Sequence, residues 1–287
     1  MLVIVGFIVV IGSVMAGYIM HHGQLGILMQ ISEFLIIGGS AFGAMLMGNP
    51  MSAVKSVFTR TLALAKGNPF TKSAYSELLL MLHELFQLAK KEGVLALEKH
   101  IESPLESEIF NRYPTFIKNH HAVAFLADTM KVLLSGAIEP HNLAEILEID
   151  VEQHQEEALV ASHVLARVAD AMPGFGIVAA VLGVVITMGA ISGAASEIGE
   201  KVAAALVGTF LGILLAYGVF GPLAQACEGQ AKSEIAYLVC LKTALLAFAH
   251  GEPPITAVEF ARRSIEPGHR LSFTDLEALL KEQKSKS

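Results

Sequence analysis

Four stretches of this chain are apolar and free of charge, and they constrain the fold more than any other feature. No Asp, Glu, Lys or Arg occurs from Met1 to Ser32, and after Glu33 the next charge is Lys55. Two further charge-free windows run from Ala171 to Ser196 and from Val202 to Cys227. Each window can hold the ~20 apolar residues that cross a bilayer core about 30 Å thick. The sequence therefore predicts an integral membrane protein with spans near residues 2–20, 29–48, 171–192 and 201–222.

The distribution of basic residues predicts which segments lie in the cytoplasm. Eleven Lys and Arg residues lie between the second and third spans, and eight lie after the fourth span. The turn between the first two spans carries none, and the turn between the last two has only Lys201 at its edge. Positive charge marks the cytoplasmic side, most reliably close to the spans, where Lys55, Arg60 and Arg167 lie. Both termini are therefore predicted to be cytoplasmic, in a multi-pass protein of the inner membrane.

The polar segments have the pattern of helices. From Tyr75 to Ala89 apolar residues cover one broad face, and Gly93 follows two lysines at the end of the run. Pro104 and Pro114 predict helix boundaries, because the residue before a proline disfavours helical geometry. Two further helices are predicted at 120–135 and 143–168, the second continuing into the third span.

The predicted fold class is therefore all-α: an integral membrane protein with four transmembrane helices and a helical cytoplasmic domain. Its predicted parts are a first transmembrane hairpin (2–48), a cytoplasmic helical domain (49–169), a second hairpin (170–222) and a cytoplasmic tail (223–287).

The spans contain few polar groups. Glu33 and Asp170 are placed at span ends, and the middles of the third and fourth spans contain no ionisable residue. Thr187 and Thr209 are the notable polar groups there, and each hydroxyl could line a pore or bond to its own helix. A charge near the bilayer centre costs at least ~3 kcal/mol and usually marks an ion pathway. If the chain handles ions, a partner must bring the acid.

Pairs of small residues spaced four apart occur in all four spans. Such pairs let helices approach closely in lipid, either within one chain or between the subunits of an oligomer. The pairs are Ser13–Gly17, Gly39–Gly43, Gly189–Gly193 and Gly208–Gly212.

Two segments, Asp170–Gly183 and Val207–Ala224, carry motifs that resemble those of the MotA family, the flagellar motor stator subunits of the MotA/TolQ/ExbB superfamily. Asp170–Gly183 (DAMPGFGIVAAVLG) is similar to the signature that enters the third span of this family. Val207–Gly218 (VGTFLGILLAYG), followed by Gly221–Ala224 (GPLA), is similar to the signature of its fourth span. Ser103–Phe110 (SPLESEIF) and Ala257–Arg263 (AVEFARR) also fit the family pattern. The likeness runs in order along the whole chain, with the same four-span layout.

This resemblance implies a proton-driven torque generator that works with two partners. In the family about five such subunits surround two copies of MotB, whose single span carries the essential aspartate and whose outer domain grips peptidoglycan. The subunits act on the rotor protein FliG. The coupling ion is expected to be the proton rather than sodium, with no other cofactor and no metal.

The resemblance also implies roles for residues of the last two spans. Pro173 and Pro222 match the prolines that couple ion passage to movement, although a proline can also simply mark a helix end. Thr209 matches the polar residue that faces the partner's span. Ala180 resembles the small residue of proton-driven members, where sodium-driven relatives often carry Thr.

The predicted rotor contact lies in the cytoplasmic segment. Lys90 and Glu98 match the charged pair that engages oppositely charged rotor residues, and Lys91 adds a second positive charge. A solvated helix face is the alternative for all three. Lys lacks the planar fork of Arg, so the contact should be sensitive to salt.

Other classes of protein fit the sequence less well. An energy-transducing subunit of the ExbB or TolQ type is the main alternative, but such proteins usually have three spans and lack the leading hairpin. A transporter or channel working alone would carry its own buried ionisable group. His154 and Glu157 have the spacing of metal ligands on a helix, but one such pair is more often part of a solvated or packed face than a metal site. No phosphate-binding loop or nucleophile motif in the sequence suggests an enzyme. The net charge of -7 does not favour nucleic-acid binding.

Overall fold

The chain is helical, as predicted. A computed structural model describes residues 2–136, 138–189, 192 and 194–286, and no strand occurs in these ranges. Residues 190 and 191 of the predicted third span, Gly193 of one small-residue pair and Ser287 of the predicted tail lie outside the described residues. The first helices are α1 (Leu2–Met20), α2 (Leu25–Leu28), α3 (Ile31–Gly48), α4 (Met51–Leu64), α5 (Lys72–Glu92), α6 (Glu98–Glu102), α7 (Pro114–Ile117) and α8 (His120–Leu134). The remaining helices are α9 (Pro140–Gly189), α10 (Ala195–Leu215), α11 (Gly221–Ala249), α12 (Pro254–Ser264) and α13 (Phe273–Lys286).

Four helical stretches are long and apolar enough to span a membrane. They are Leu2–Met20, Leu25–Gly48, Pro140–Gly189 and Ala195–Ala249. The two long ones extend well beyond a bilayer, since about 20 residues suffice to cross it. As expected from the lack of a strong helix breaker before Pro173, α9 runs through this proline without ending.

The structure divides into two compact units. The membrane unit comprises residues 2–67 and 158–230, and the polar unit comprises residues 68–157 and 231–286. In the membrane unit, α3, α4, α9 and α10 pack their apolar faces together around residues such as Ile37, Val54, Leu165 and Leu211. By contrast, α1 has no buried residue in the single chain, as expected for a helix that meets lipid or another subunit.

The polar unit is organised around α5. Ten of the 21 residues of this helix are buried, including Leu78, Leu82 and Phe86, because its apolar residues recur on one face. Thr71 caps the helix start by accepting a hydrogen bond from the Ala74 N–H. Gly93 ends the helix with φ 88°, in the region that glycine adopts without strain. The predicted boundary at Gly93 is therefore confirmed.

Candidate functional site

The helices α9 and α10 approach each other closely along one seam in the membrane unit. A Cβ atom added to Gly176 would lie 2.8 Å from the Gly208 carbonyl oxygen and 3.1 Å from Gly212 Cα. About two helical turns further along α9, a Cβ added to Gly183 would lie 2.7 Å from Ala205 Cβ. No side chain larger than hydrogen fits at these positions without moving the backbones apart. This α9–α10 seam places the two predicted pore spans in direct contact.

The Gly208–Gly212 pair contributes to this seam, whereas the described glycines of the other predicted pairs do not. Gly17, Gly39, Gly43 and Gly189 have open space where a Cβ would point. The seam partners on α9, Gly176 and Gly183, were not singled out in the sequence, because their spacing is seven rather than four residues. Residues seven apart also lie on the same face of a helix. The spacing of these two glycines in the sequence could therefore have indicated the seam.

Glu33 is a buried acid in the membrane unit that the sequence analysis placed only at a span end. The residue is 5% exposed, and within the described structure its Oε2 atom has no hydrogen-bond partner. That oxygen lies 2.6 Å from the position of a Cβ built on Gly208, so the carboxylate rests against the bare backbone of α10. The expectation that the chain has no buried ionisable residue of its own holds for the middles of the third and fourth spans and is wrong for Glu33.

Two of the predicted ion-path residues lie at this seam. Ala180 and Thr209 are both half-buried. The Ala180 backbone nitrogen lies 3.2 Å from the position of a Gly208 Cβ, and Thr209 Cα lies 3.4 Å from that of a Gly176 Cβ. Thr187 plays a different part, because its hydroxyl donates a 2.8 Å hydrogen bond to the Gly183 carbonyl of its own helix.

The two predicted coupling prolines lie in different helical surroundings, Pro173 inside a continuous helix and Pro222 next to a distorted one. Pro173 is inside α9, beside Met172, whose carbonyl oxygen lies 2.7 Å from the position of a Gly212 Cβ. Pro222 is the second residue of α11, which directly follows a π-helical turn at Ala216–Phe220. A proline removes a helix hydrogen bond and crowds the carbonyl four residues earlier. A π turn relieves such crowding and is frequent at functional sites.

The three predicted rotor-contact residues lie in the polar unit, at the end of α5 and the start of α6. Lys90 and Lys91 occupy the last turn of α5, Glu98 begins α6, and all three are exposed. The two lysines open onto different cavities. Lys90 lines a groove of about 390 Å³, and Lys91 lines a cavity of about 520 Å³ that also contains His83 and Arg112.

Side chains that line the same cavity as Lys91 form a hydrogen-bond network that attaches the C-terminal helix α13 to α5. The Gln283 Nε2 group donates to the Leu80 carbonyl at 3.0 Å and to the Tyr113 hydroxyl at 2.7 Å. The Tyr113 hydroxyl donates in turn to Glu84, which also pairs with Arg112. Burial is the main cause that raises the pKa of Tyr113, so its hydroxyl remains a donor at neutral pH.

The AVEFARR motif forms a compact cluster of charges on α12. Glu259 accepts two hydrogen bonds of 2.7 Å from Arg262 and one of 2.8 Å from Arg263. The Arg262 side chain is buried and donates further to the Leu271 carbonyl at 2.8 Å. The hydrogen bonds from Arg262 are the main cause that lowers the pKa of Glu259 to about 2. The motif therefore holds the end of α12 to the segment that follows it.

The structure places His154 against Asp150 of its own helix and against the ring of His121. His154 Nδ1 lies 2.9 Å from the Asp150 carbonyl oxygen and 3.1 Å from its carboxylate, and the imidazole ring packs edge-on against that of His121. Among the residues that the structure describes, no group of three His, Cys, Asp or Glu side chains is placed to bind a metal ion.

Two family models match the sequence in chain order. The model described as motility protein A N-terminal matches residues 4–93. The model described as the MotA/TolQ/ExbB proton channel family matches residues 117–239, which include the whole α9–α10 seam.

Curated relatives match over almost the full length. Motility protein A of Salmonella typhimurium is 39% identical over 277 residues, covering 96% of this chain and 94% of the relative. Motility protein A of Escherichia coli is 38% identical with the same coverage. Chemotaxis protein LafT of Vibrio parahaemolyticus is 37% identical, covering 97% of this chain and 98% of the relative.

Solved structures share the fold. The Campylobacter jejuni MotAB structure superposes with a TM-score of 0.76 at 20% identity, covering 94% of this chain and 98% of the matched chain. The flagellar MotAB stator complex from Bacillus subtilis gives a TM-score of 0.72 at 24% identity, covering 89% and 92% of the two chains.

Proposed function

Because the chain belongs to the motility protein A family, we propose that it is a stator subunit of the bacterial flagellar motor. With a MotB partner it forms a proton-conducting complex in the inner membrane that applies torque to the rotor. The observation that carries this proposal is the α9–α10 seam, which joins two membrane helices whose middles contain no acid. Such a pair can form the wall of an ion path but carries no acid of its own, and in this proposal the acid that carries the proton comes from a second chain.

In this proposal the partner's membrane aspartate stands beside Thr209 and Ala180. Both residues are half-buried in the single chain, so part of each remains available to a neighbour. A proton that crosses the membrane down its gradient supplies about 2.3 kcal/mol per 100 mV. We assign no other cofactor and no sodium requirement, in keeping with the small side chain of Ala180.

Pro173 and Pro222 connect proton transfer to movement of the polar segments. Each lies on a helix that continues past the membrane, α9 before Pro173 and α11 after Pro222. A helix bends most easily where a backbone hydrogen bond is missing or a π turn is present. A change in charge at the partner's aspartate can therefore bend these helices at fixed points.

The moving parts reach the rotor through Lys90, Lys91 and Glu98. These exposed charges face opposite charges on the rotor protein FliG. Both chain termini lie on the same, cytoplasmic side of the membrane. Five copies of the chain around two MotB subunits complete the assembly.

The test is a strain from which the gene is deleted, with and without the gene restored. We expect the deletion to leave cells paralysed with normal flagella, and the restored gene to recover swimming. Restoration with Pro173→Ala and Pro222→Ala together should give normal membrane levels and no torque. Normal swimming of the deletion strain, in the absence of a second stator gene, would contradict the stator function. Full swimming of the double variant would remove the prolines from the mechanism.

A further inference from the structure

Three membrane helices meet at Gly208, and the carboxyl group of Glu33 completes the junction. A Cβ atom built on Gly208 of α10 would lie 2.6 Å from Glu33 Oε2 of α3. On the side of α9, the same Cβ would lie 3.0 Å from Ala179 Cβ and 3.2 Å from the Ala180 nitrogen. The Glu33 side chain therefore fills the space that a larger residue at position 208 would need.

Within the described structure, no positive charge pairs with this carboxyl group. Glu33 is 5% exposed, and no hydrogen bond reaches its Oε2 atom. The hydroxyl of the adjacent Ser32 is the side-chain donor that acts on the carboxyl group. The stretches of α9 and α10 that meet at the junction, residues 171–189 and 202–215, contain no ionisable side chain. A negative charge at Glu33 would therefore be buried without a partner.

Burial of an unpaired charge costs far more than burial of a neutral acid. An ionised carboxylate needs hydrogen-bond donors or a cation at both oxygens, and apolar surroundings supply neither. A protonated carboxyl group carries no net charge and has a single O–H group to satisfy. The packing at Gly208 therefore fits a carboxylic acid that keeps its proton.

The junction adjoins the two half-buried residues beside which the proposed ion path runs. Thr209 follows Gly208 on α10, and Ala180 contributes one of the backbone atoms closest to Gly208. Because α10 is continuous from Ala195 to Leu215, a shift of its backbone at Gly208 would move Thr209 as well. Glu33 can therefore fix the position of Thr209, although Glu33 itself is buried.

We propose, on the basis of the stator function, that Glu33 is a proton-binding side chain and a positioning residue of the ion path. As a neutral carboxylic acid it supports α10 at Gly208 and so keeps Thr209 beside the partner's span. The transported proton stays with the partner's aspartate and does not pass through Glu33. Loss of the proton from Glu33 would place an unpaired charge at the junction and separate α3 from α10.

The protonation of Glu33 can be measured in the purified stator complex at neutral pH, without reference to motility. A protonated carboxyl group and an ionised carboxylate absorb at different infrared frequencies, because the carboxylate shares its charge between two oxygens. We expect Glu33→Gln to remove a band of a protonated carboxyl group from the wild-type spectrum. Glu200→Gln, at an exposed position of α10, is the matched control and should remove carboxylate bands alone. Loss of a carboxylate band in Glu33→Gln, with the acid bands unchanged, would overturn the proposal.

The positioning role is tested by exchanging size between the two residues in contact, with torque measured in the deletion strain. Glu33→Gln should give torque close to the wild type, because a neutral side chain of the same length preserves the junction. Gly208→Ala and Glu33→Ala should each reduce torque severalfold, the first by a clash and the second by a cavity. In the double variant the new Cβ takes the vacated space, so torque should exceed that of Gly208→Ala severalfold.

Gly212→Ala is the control for this rescue, because its Cβ meets the Met172 carbonyl rather than Glu33, and Glu33→Ala should not restore its torque. Wild-type torque in Glu33→Ala would overturn the positioning role, as would equal torque in Gly208→Ala with and without Glu33→Ala. Severe loss of torque in Glu33→Gln would also overturn the proposal, because Glu33 would then exchange its proton.

Membrane levels and co-purification with MotB are measured for every variant. If Glu33→Ala alone does not reach the membrane, recovery in the double variant with Gly208→Ala supports the contact, and continued absence overturns it. Failure of the stator function itself is distinct from these results. The wild-type gene would then not restore swimming, whereas the infrared band of Glu33 would be unchanged.

Discussion

Glu259 shows how one residue of a family-like motif can act by structure alone. Its carboxylate holds Arg262 and Arg263, and Arg262 is buried and reaches across to the Leu271 carbonyl. A buried cation that loses its partner destabilises a protein strongly. The AVEFARR segment therefore contributes to the folded structure of the polar unit through this cluster.

Glu259→Gln should accordingly destabilise the polar unit by about 3 kcal/mol, because it leaves Arg262 buried without a negative partner. Thermal unfolding of the purified complex would show the loss, and Glu277→Gln, on an exposed ion pair with Lys281, is the control with little expected effect. An unchanged melting temperature for Glu259→Gln would contradict the assignment.

The same cluster has a pH dependence with a definite sign. The pKa of Glu259 lies at about 2 in the folded chain, below the ordinary value of 4.5. A lowered pKa contributes stability that is complete above the unfolded value and is lost as the pH falls toward the folded value. The stability difference between wild type and Glu259→Gln should therefore be full above about pH 5 and should shrink between about pH 4.5 and pH 2.

The α9–α10 seam requires glycine because the two helix backbones are too close for a Cβ atom. The φ angles of the seam glycines do not require it. A Cβ on Gly212 would lie 2.7 Å from the Met172 carbonyl oxygen and 2.9 Å from Gly176 Cα. Both contacts are with backbone atoms, which cannot turn aside as a side chain can. A Cβ on Gly208 meets the carboxylate of Glu33 first, at 2.6 Å, so part of that contact could relax.

Gly212→Ala should therefore separate α9 from α10 and abolish swimming while the chain still enters the membrane. Membrane fractionation and swimming assays would measure both effects. Gly12→Ala on α1, where a Cβ meets nothing within 4 Å, is the control, and it should be neutral or slightly stabilising because Ala favours helix by about 1 kcal/mol over Gly. Swimming at wild-type speed in Gly212→Ala would show that the close approach is not required.

At the scale of the whole molecule, the chain leaves much apolar surface exposed, including α1, which has no buried residue. The assembled complex should bring the partner's span beside Thr209. A cysteine at this position is then expected to crosslink under oxidation to a cysteine next to the partner's membrane aspartate. The native Cys227 and Cys240 are both buried, so they should not compete.

Ile8→Cys serves as the comparison for this crosslink, since Ile8 is 62% exposed on α1 and should not face the partner's acid. Crosslinking at Ile8 equal to that at Thr209, or none at Thr209 with both proteins present, would reject the placement of Thr209.

Features that depend on local chemistry were predictable from the sequence. The charge-free windows predicted four membrane-spanning helices because an uncompensated charge is costly in lipid, and helices of that kind are present. Gly93 and Pro114 were correctly placed at helix boundaries, since their backbone preferences act within one or two residues. The resemblance of the motifs also predicted the protein family, and the matches to family models and to curated relatives confirm it.

Other features arise only when distant segments meet. The burial of Glu33 against Gly208, the pairing of Gly183 with Ala205, and the groove between Lys90 and Glu252 each join residues far apart in the chain. Helical periodicity predicts which face of a helix is apolar, but not which partner that face meets or how closely. The amino-acid sequence by itself therefore determined the class, the four membrane-spanning helices and a few helix ends, because these depend on local preferences and on transfer from water to lipid. Only the tertiary structure decided which small residues form a seam and which acid is buried, because those outcomes depend on distances between helix backbones.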